Sequence, residues 1–197
     1  MFTQSTVMRR TLAASIVAAS FAIGGLARAD TYVFDKGHTE IRFAWSHFGV
    51  SKMSGMVMDY DGKLSFDTAA PEKSALEVTA KTDSLWTHVD KLTQHLKSPD
   101  FFDAAKHPEI SFKTTKVEKT GEKSGRITGN FTLKGVTKPV TFDVKLVYQG
   151  PHPMSKKPTV GFSATTTIKR SEFNLGAYAP AISDDIELTV NTEMPQG

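Results

Sequence analysis

One pattern constrains this chain more than any other. From residue 30 onward, apolar and polar residues alternate with period two in run after run. In TEIRFAWSHF, Ile41, Phe43 and Trp45 share one side, while Glu40, Arg42 and Ser46 share the other. In GMVMDYDGKLSFD, Met56, Met58 and Tyr60 alternate, followed by Leu64 and Phe66, with Asp61-Gly62 between them as a two-residue hairpin signal. ALEVTAKT sets Leu76, Val78 and Ala80 against Glu77, Thr79 and Lys81. Successive side chains of a strand point to opposite faces, so each run reads as a strand with one buried and one wet face.

The pattern returns after residue 108. EISFKTTKVE pairs Ile110 with Phe112, and GRITGNFTL aligns Ile127, Phe131 and Leu133. PVTFDVKLVYQ aligns Val140, Phe142, Val144 and Leu146. TVGFSATTTIK and DIELTVNT contribute Val160, Phe162, Ala164, Ile168, Ile186, Leu188 and Val190. This makes eight substantial strands, plus a short opener at Tyr32–Asp35, joined by short, turn-rich links such as KTGEKSG, KGVTK and QGPHPMSKKP. One wet face per strand is the mark of antiparallel sheet, and no helices alternate with the strands to make a parallel one. A sandwich and a closed barrel both satisfy this. Strands of about 9–11 residues, roughly 30–37 Å long, suit an extended eight-stranded antiparallel β-barrel. A membrane barrel has the reverse polarity, and the short links and frequent polar-face charges favour the soluble kind.

Residues 1–29 stand apart. Arg9-Arg10, the apolar run Leu12–Leu26 and Ala27-Arg28-Ala29 read as a signal peptide cleaved after Ala29, which implies a periplasmic location. The twin arginines sit among residues that fit the folded-export motif poorly, so ordinary unfolded export is expected. Residues 30–197 then form a single barrel domain. The whole chain has 24 Lys+Arg and 21 Asp+Glu, and the leader carries Arg9, Arg10 and Arg28 with no acid. Residues 30–197 are therefore neutral, and the basic pI of about 9.0 is no argument for nucleic acid or an anionic membrane. No run in them is long enough to be a transmembrane helix. The absence of cysteine excludes disulfides, thiolate metal sites, lipidation and cysteine nucleophiles.

HLKSPDFFDAAKHPEISF (95–112) breaks the alternation. Leu85, Val89, Leu92 and Leu96 follow one helix face, Ser98-Pro99 reads as the start of a second short helix over DFFDAAK, and Pro108 ends it. The expectation is a helical cap between two strands. Leu92, Leu96 and one or both of Phe101 and Phe102 would face the barrel interior.

Catalytic and metal signatures are weak. His88 and His95 on one helix would be about 10.5 Å apart along the axis, too far for a shared zinc. His38 and His47 fall on opposite faces of a strand. Adjacent Asp184 and Asp185 point apart, GFSAT lacks the closing glycine of a nucleophile elbow, and GEKSG reads as a hairpin turn. The expected site is therefore neither catalytic nor metal-binding. What remains is the inward set: Phe43, Trp45, Met56, Met58, Leu76, Val78, Phe112, Phe131, Phe142, Val144 and Phe162. On residues alone it is either a filled core or the wall of a cavity for one small ligand. His47, at the end of its strand, is either a hydrogen-bonded rim histidine or a head-group contact.

Four segments resemble the YceI-like family of lipocalin-like, polyisoprenoid-binding proteins. They are HTEIRFAWSHFGVSKMSGMVMDYDGKLSFD, HLKSPDFFDAAKHPEISF, GNFTLKGVTKPVTFDV and GFSATTTIKRSEFNLG, in the family's order. The resemblance spans residues 30–194. In RSEFNLG, Asn174 stands where the family is expected to favour glycine. The resemblance implies a lipocalin-like barrel in a bacterial periplasm and an elongated apolar pocket. The implied ligand is a long-chain apolar molecule such as a polyisoprenoid, an isoprenoid quinone or a fatty-chain lipid. It implies no catalytic residue and no cofactor beyond that ligand. The preferred expectation is a carrier or scavenger, with rim residues such as His47 or Arg170 at the head group, acting as a monomer or homodimer. A solid-cored stress or interaction protein and an enzyme on a lipid-like substrate are the competing expectations.

Overall fold

The structure is a computed structural model and describes residues 29–197. The leader expected over 1–29 thus lies, except for Ala29, outside the described residues. Eleven antiparallel strands form one sheet: β1 Asp30–Val33, β2 Glu40–His47, β3 Ser51–Val57, β4 Tyr60–Phe66, β5 Ala75–Lys81, β6 Leu85–Thr87, β7 Glu109–Lys119, β8 Ser124–Leu133, β9 Val136–Pro151, β10 Pro158–Lys169 and β11 Asp185–Pro195. A single α-helix among the described residues, α1, covers Asp90–Lys97.

The pairing reconciles eleven strands with the expected eight. β1 pairs β4 while β2 pairs β3, and β5 pairs β4 while β6 pairs β3. β1 with β2, β3 with β4, and β5 with β6 are therefore three long staves, each interrupted once. β7 to β11 supply the other five. β11 closes the ring, because Glu187–Asn191 pair with β2. Tyr32 bridges Gln196, and Asp35 N donates to Glu193 O at 2.9 Å.

Two expectations about the second stave are corrected. Asp61-Gly62 is not a hairpin; both residues lie inside β4, where Gly62 pairs with Val78. The glycine is there for close approach, since a Cβ would meet Glu77 O at 2.4 Å and the Phe34 ring at 2.9 Å. The stave instead breaks at Met58-Asp59, and this shifts the alternation. On β3 the inward residues are Met53, Gly55 and Val57, and Gly55 makes room for the Phe43 ring, whose Cζ would lie 2.4 Å from a Cβ. Met56 and Met58 therefore face outward, Met58 at 57% exposure and Met56 opposite Trp86 on β6. A one-residue slip moves every side chain to the other face.

The cap also differs from its expected form. Leu85 is in β6 and buried; Val89 precedes α1. Ser98 ends α1 instead of starting a second helix, its N and Oγ both donating to His95 O. Residues 99–106 are successive turns. Phe102 N and Ala104 N donate back to Leu96 O and Lys97 O, and Asp103 has φ of 47°, which stops helix propagation. Thr87 and Thr93, both buried, tie the cap to β6: Thr87 N donates to Thr93 Oγ1 at 2.9 Å, and the two hydroxyls lie 2.9 Å apart.

Candidate functional site

The inward faces of the staves meet only in places, as where Phe66 on β4 touches Phe162 on β10. They enclose an elongated cavity of about 1140 Å³ that runs from the capped end toward the β7–β8 hairpin. Phe112 and Phe142 meet edge to face at 5.4 Å, as do Phe66 and Phe162 at 5.5 Å, whereas Phe43 and Trp45 stack at 5.8 Å. These aromatic contacts line the wall without filling the space. Aliphatic side chains complete it: Leu76, Val78, Val144, Ile168 and Leu188.

Apart from Met56 and Met58, every residue expected at the site lies on this cavity. Phe43, Trp45, Leu76, Val78, Phe112, Phe131, Phe142, Val144 and Phe162 are on the wall. Leu92, Leu96, Phe101 and Phe102 reach it from the cap, and His47 sits at its edge. Ile41 and Phe66, which the alternation set on the apolar face, also line it, as do Met53, Val57 and Phe34, which it did not pick out. The β3 residues could have been found from Gly55: a glycine opposite a phenylalanine marks where a ring must pass.

The capped end is the mouth. Three segments meet there: the β2–β3 hairpin, the cap and the link between β10 and β11. Phe48 N donates to Ala181 O at 2.8 Å, and His47 bridges Ile182. Phe101 stacks on Tyr178 at 6.0 Å, with His95 edge-on to Phe101 at 4.9 Å. His88 lies before α1, against Trp86, so the two histidines do not share a helix face.

Arg170 lines the cavity near its mouth and holds the link in place. It is 6% exposed, and its guanidinium donates to Ser183 O (2.9 Å), Ala177 O (2.8 Å), Ile182 O (2.8 Å) and Leu175 O. Burial lowers its pKa, and nearby Asp184 acts in the opposite sense. Asp184 accepts from Ser171 Oγ at 2.7 Å and Ser171 N at 2.8 Å, bonds that hold its carboxyl below its ordinary range. Asp185 pairs separately with Lys169. Asn174 has φ of 58° and closes the turn Arg170–Phe173. The position needs the left-handed region, which asparagine tolerates next best after glycine.

Outside the cavity, Asp35, His38 and Glu193 place ligand-type atoms within 4.8 Å of one another on the β1–β11 seam. Their spacing in sequence gave no sign of this; closure of the ring brings them together. Asp35 Oδ2 lies 3.0 Å from His38 Nδ1, a bond that lowers the carboxyl's pKa and raises the imidazole's.

Comparison with known proteins agrees with this architecture. A UPF0312 protein of Ectopseudomonas mendocina is 38% identical over 188 residues, covering 94% of this chain and 98% of that one. The crystal structure of a Campylobacter jejuni YceI protein superposes with a TM-score of 0.71 at 32% identity, over 77% of this chain and 90% of the other. A polyisoprenoid binding domain from Saccharophagus degradans shares the fold, with a TM-score of 0.64 at 12% identity over 86% and 100% of the two chains. The YceI-like domain matches residues 32–194, nearly the whole closed barrel, and the chain belongs to the YceI-like family.

Proposed function

We propose that the protein is a periplasmic binding protein that sequesters or carries a long-chain apolar molecule, a polyisoprenoid, isoprenoid quinone or fatty-chain lipid, inside the barrel. The observation that carries this reading is the cavity. At about 1140 Å³ it exceeds the roughly 300–1,000 Å³ of ordinary small-molecule pockets, and its long wall is phenyl and aliphatic. The signal-like residues 1–29 support export, and the polyisoprenoid binding domain of S. degradans supports the ligand class. Each chain methylene moved from water to such a wall contributes about 0.8 kcal/mol, so a long chain binds with few polar contacts. Specificity is then loose along the chain.

The reading is of a binder, not an enzyme. Apart from exposed Arg42, the titratable side chains at the cavity sit at its ends: His47, His95, Arg170 and Tyr178 at the mouth, and Glu118, Lys119, Glu122, Lys123 and Arg126 at the far hairpin. General acid–base work needs such groups within hydrogen-bond reach of one reacting atom. Solvent extraction of the purified protein followed by mass spectrometry should recover a co-purified lipid, and titration with a long-chain quinone should saturate. Neither lipid nor saturation would return the barrel to a solid-cored or interaction protein. Turnover of a lipid-like substrate that vanishes in His47→Ala would make it an enzyme.

A further inference from the structure

We propose that the mouth of the barrel is a membrane-docking rim: Phe48, Val50 and Tyr178 enter the interface of an uncharged or zwitterionic bilayer, so that an apolar chain passes between bilayer and cavity without crossing water. The inference rests on the carrier reading and names the surface with which that carrier exchanges.

Three observations carry it. The first is exposure. Phe48 is 62% exposed, Val50 85% and Tyr178 65%; Phe48 and Tyr178 line the cavity at its mouth, and Val50 lies beside Phe48 in the β2–β3 hairpin. Tyr178 and Phe48 are tied together through the bridge of His47 to Ile182 and the bond from Phe48 N to Ala181 O. Large apolar groups grouped in this way on a surface mark an interaction site.

The second is backbone conformation. Phe48 has φ of 54° and Tyr178 φ of 63°. Bulky residues rarely occupy this region, where glycine or asparagine is at ease. Each ring has an aromatic neighbour, His47 for Phe48 and Phe101 for Tyr178, yet stays mostly exposed. The strain is kept while the ring points out, which is expected where the ring has work to do outside the protein.

The third is charge. Residues 43–51 and 173–183, which build two of the three rim segments, contain no Asp, Glu, Lys or Arg in a chain that is 23% charged. Lys52 and Lys97, which flank the rim, are paired with Glu187 and Asp83. The cap, the third segment, carries Asp90, Lys91, Lys97, Asp100, Asp103 and Lys106, three of each sign. A rim with no net charge is suited to an interface entered by burial and not by attraction to anionic lipid. Aromatic rings are the side chains that settle at membrane–water interfaces. The opposite end of the barrel differs: Met154 is 86% exposed, but it is followed by Lys156 and Lys157.

The test is flotation with phosphatidylcholine vesicles of the protein purified as cells produce it, alongside a Phe48→Asn/Val50→Ser variant, a Tyr178→Asn variant and a Met154→Ser control. Asparagine suits the left-handed backbone, so these variants remove the ring and relieve the strain together. The wild type and Met154→Ser should float equally, and binding should be nearly unchanged by high salt. Phe48→Asn/Val50→Ser should lose about tenfold in vesicle affinity and in the rate of probe uptake from vesicles. Equilibrium binding of a fluorescent polyprenol without vesicles is measured in parallel. Binding of the probe with no flotation overturns the docking rim alone. Failure to bind the probe overturns the carrier reading and this inference with it. Flotation that is equal in all variants, or a mouth-dependent dimer that ignores vesicles, also overturns it.

Discussion

The barrel has a regular half and an interrupted half. β7 to β11 each run as one strand, with bulges between Thr114 and Lys116 and between Gly161 and Phe162, and most of the inward residues that period-two alternation picks out there line the cavity. β1 to β6 are three staves each broken once, with the cap inserted after the last. There the inward set is decided by close contacts: Phe43 over Gly55, Phe34 over Gly62, and the Thr87–Thr93 pair under α1. The contrast shows that alternation is a local signal, which holds only as far as the strand does. Where a strand breaks, a contact with a neighbour sets the register on the other side.

The comparison can be broken most severely at the β10–β11 link of the regular half, which meets the β2–β3 hairpin of the interrupted half through Phe48 N and Ala181 O. Arg170→Ala leaves four buried or half-buried carbonyls of the β10–β11 link without their donor. The expected loss is about 3 kcal/mol or more, seen as an earlier urea midpoint, because unsatisfied buried groups each cost about 1–3 kcal/mol. Arg170→Lys should recover only part of it, since an ammonium cannot spread its donors as the planar guanidinium does. Ligand binding should fall with the link, which forms one side of the mouth.

Within the interrupted half, Gly55→Val forces a branched side chain into the Phe43 ring and toward Trp86 O, where a Cβ alone would lie at 2.8 Å. A loss of about 2–3 kcal/mol is expected in chemical denaturation. A cost near zero would show that Phe43 can leave the position without penalty and that β3 is not held by it. Thr93→Val removes the acceptor for Thr87 N beneath the cap. It should cost about 1–2 kcal/mol, and hydrogen exchange should show faster opening of β6 and α1 than of β9.

The β3 register has its own sharper test. Met53→Ser should weaken binding of a long-chain quinone about tenfold, and Met56→Ser should leave it unchanged. The reverse result would put β3 back in the register that unbroken alternation suggests.

The smallest effect is at the seam. His38 has its pKa raised from the ordinary 6.5, chiefly by its bond to Asp35. Its contribution is therefore fully present below that value and is lost as pH rises through the raised one. Asp35 has its pKa lowered from the ordinary 3.8, so its contribution is present above that value and is lost as pH falls through the lowered one. The seam is firmest between those two limits. A slight fall in the urea midpoint from about pH 5 to about pH 8 is expected in the wild type and should vanish in Asp35→Asn.

How much was legible before the fold was known follows the same division. The sheet, its antiparallel sense, its closed-barrel class and the inward faces of Phe112, Phe131, Phe142, Val144 and Phe162 are written in the sequence, because one residue per face is a property of any extended strand. The helix face that links Leu92 to Leu96 is also local, and both residues reach the cavity. Leu85 and Val89 fit the same face but do not join the helix, because pairing of Leu85 with Val57 takes that stretch into the sheet.

The sequence by itself determined strands with one apolar face and a break in them after β6. Only the tertiary structure decided that the staves stand far enough apart to leave a cavity, that Arg170 gathers the carbonyls of the β10–β11 link, and that Asp35, His38 and Glu193 meet. The physical reason is range. Alternation and turn chemistry act between residues a few positions apart. The width of a barrel and the company of a buried guanidinium are set by pairing between residues far apart in the chain, such as Ala44 with Glu187.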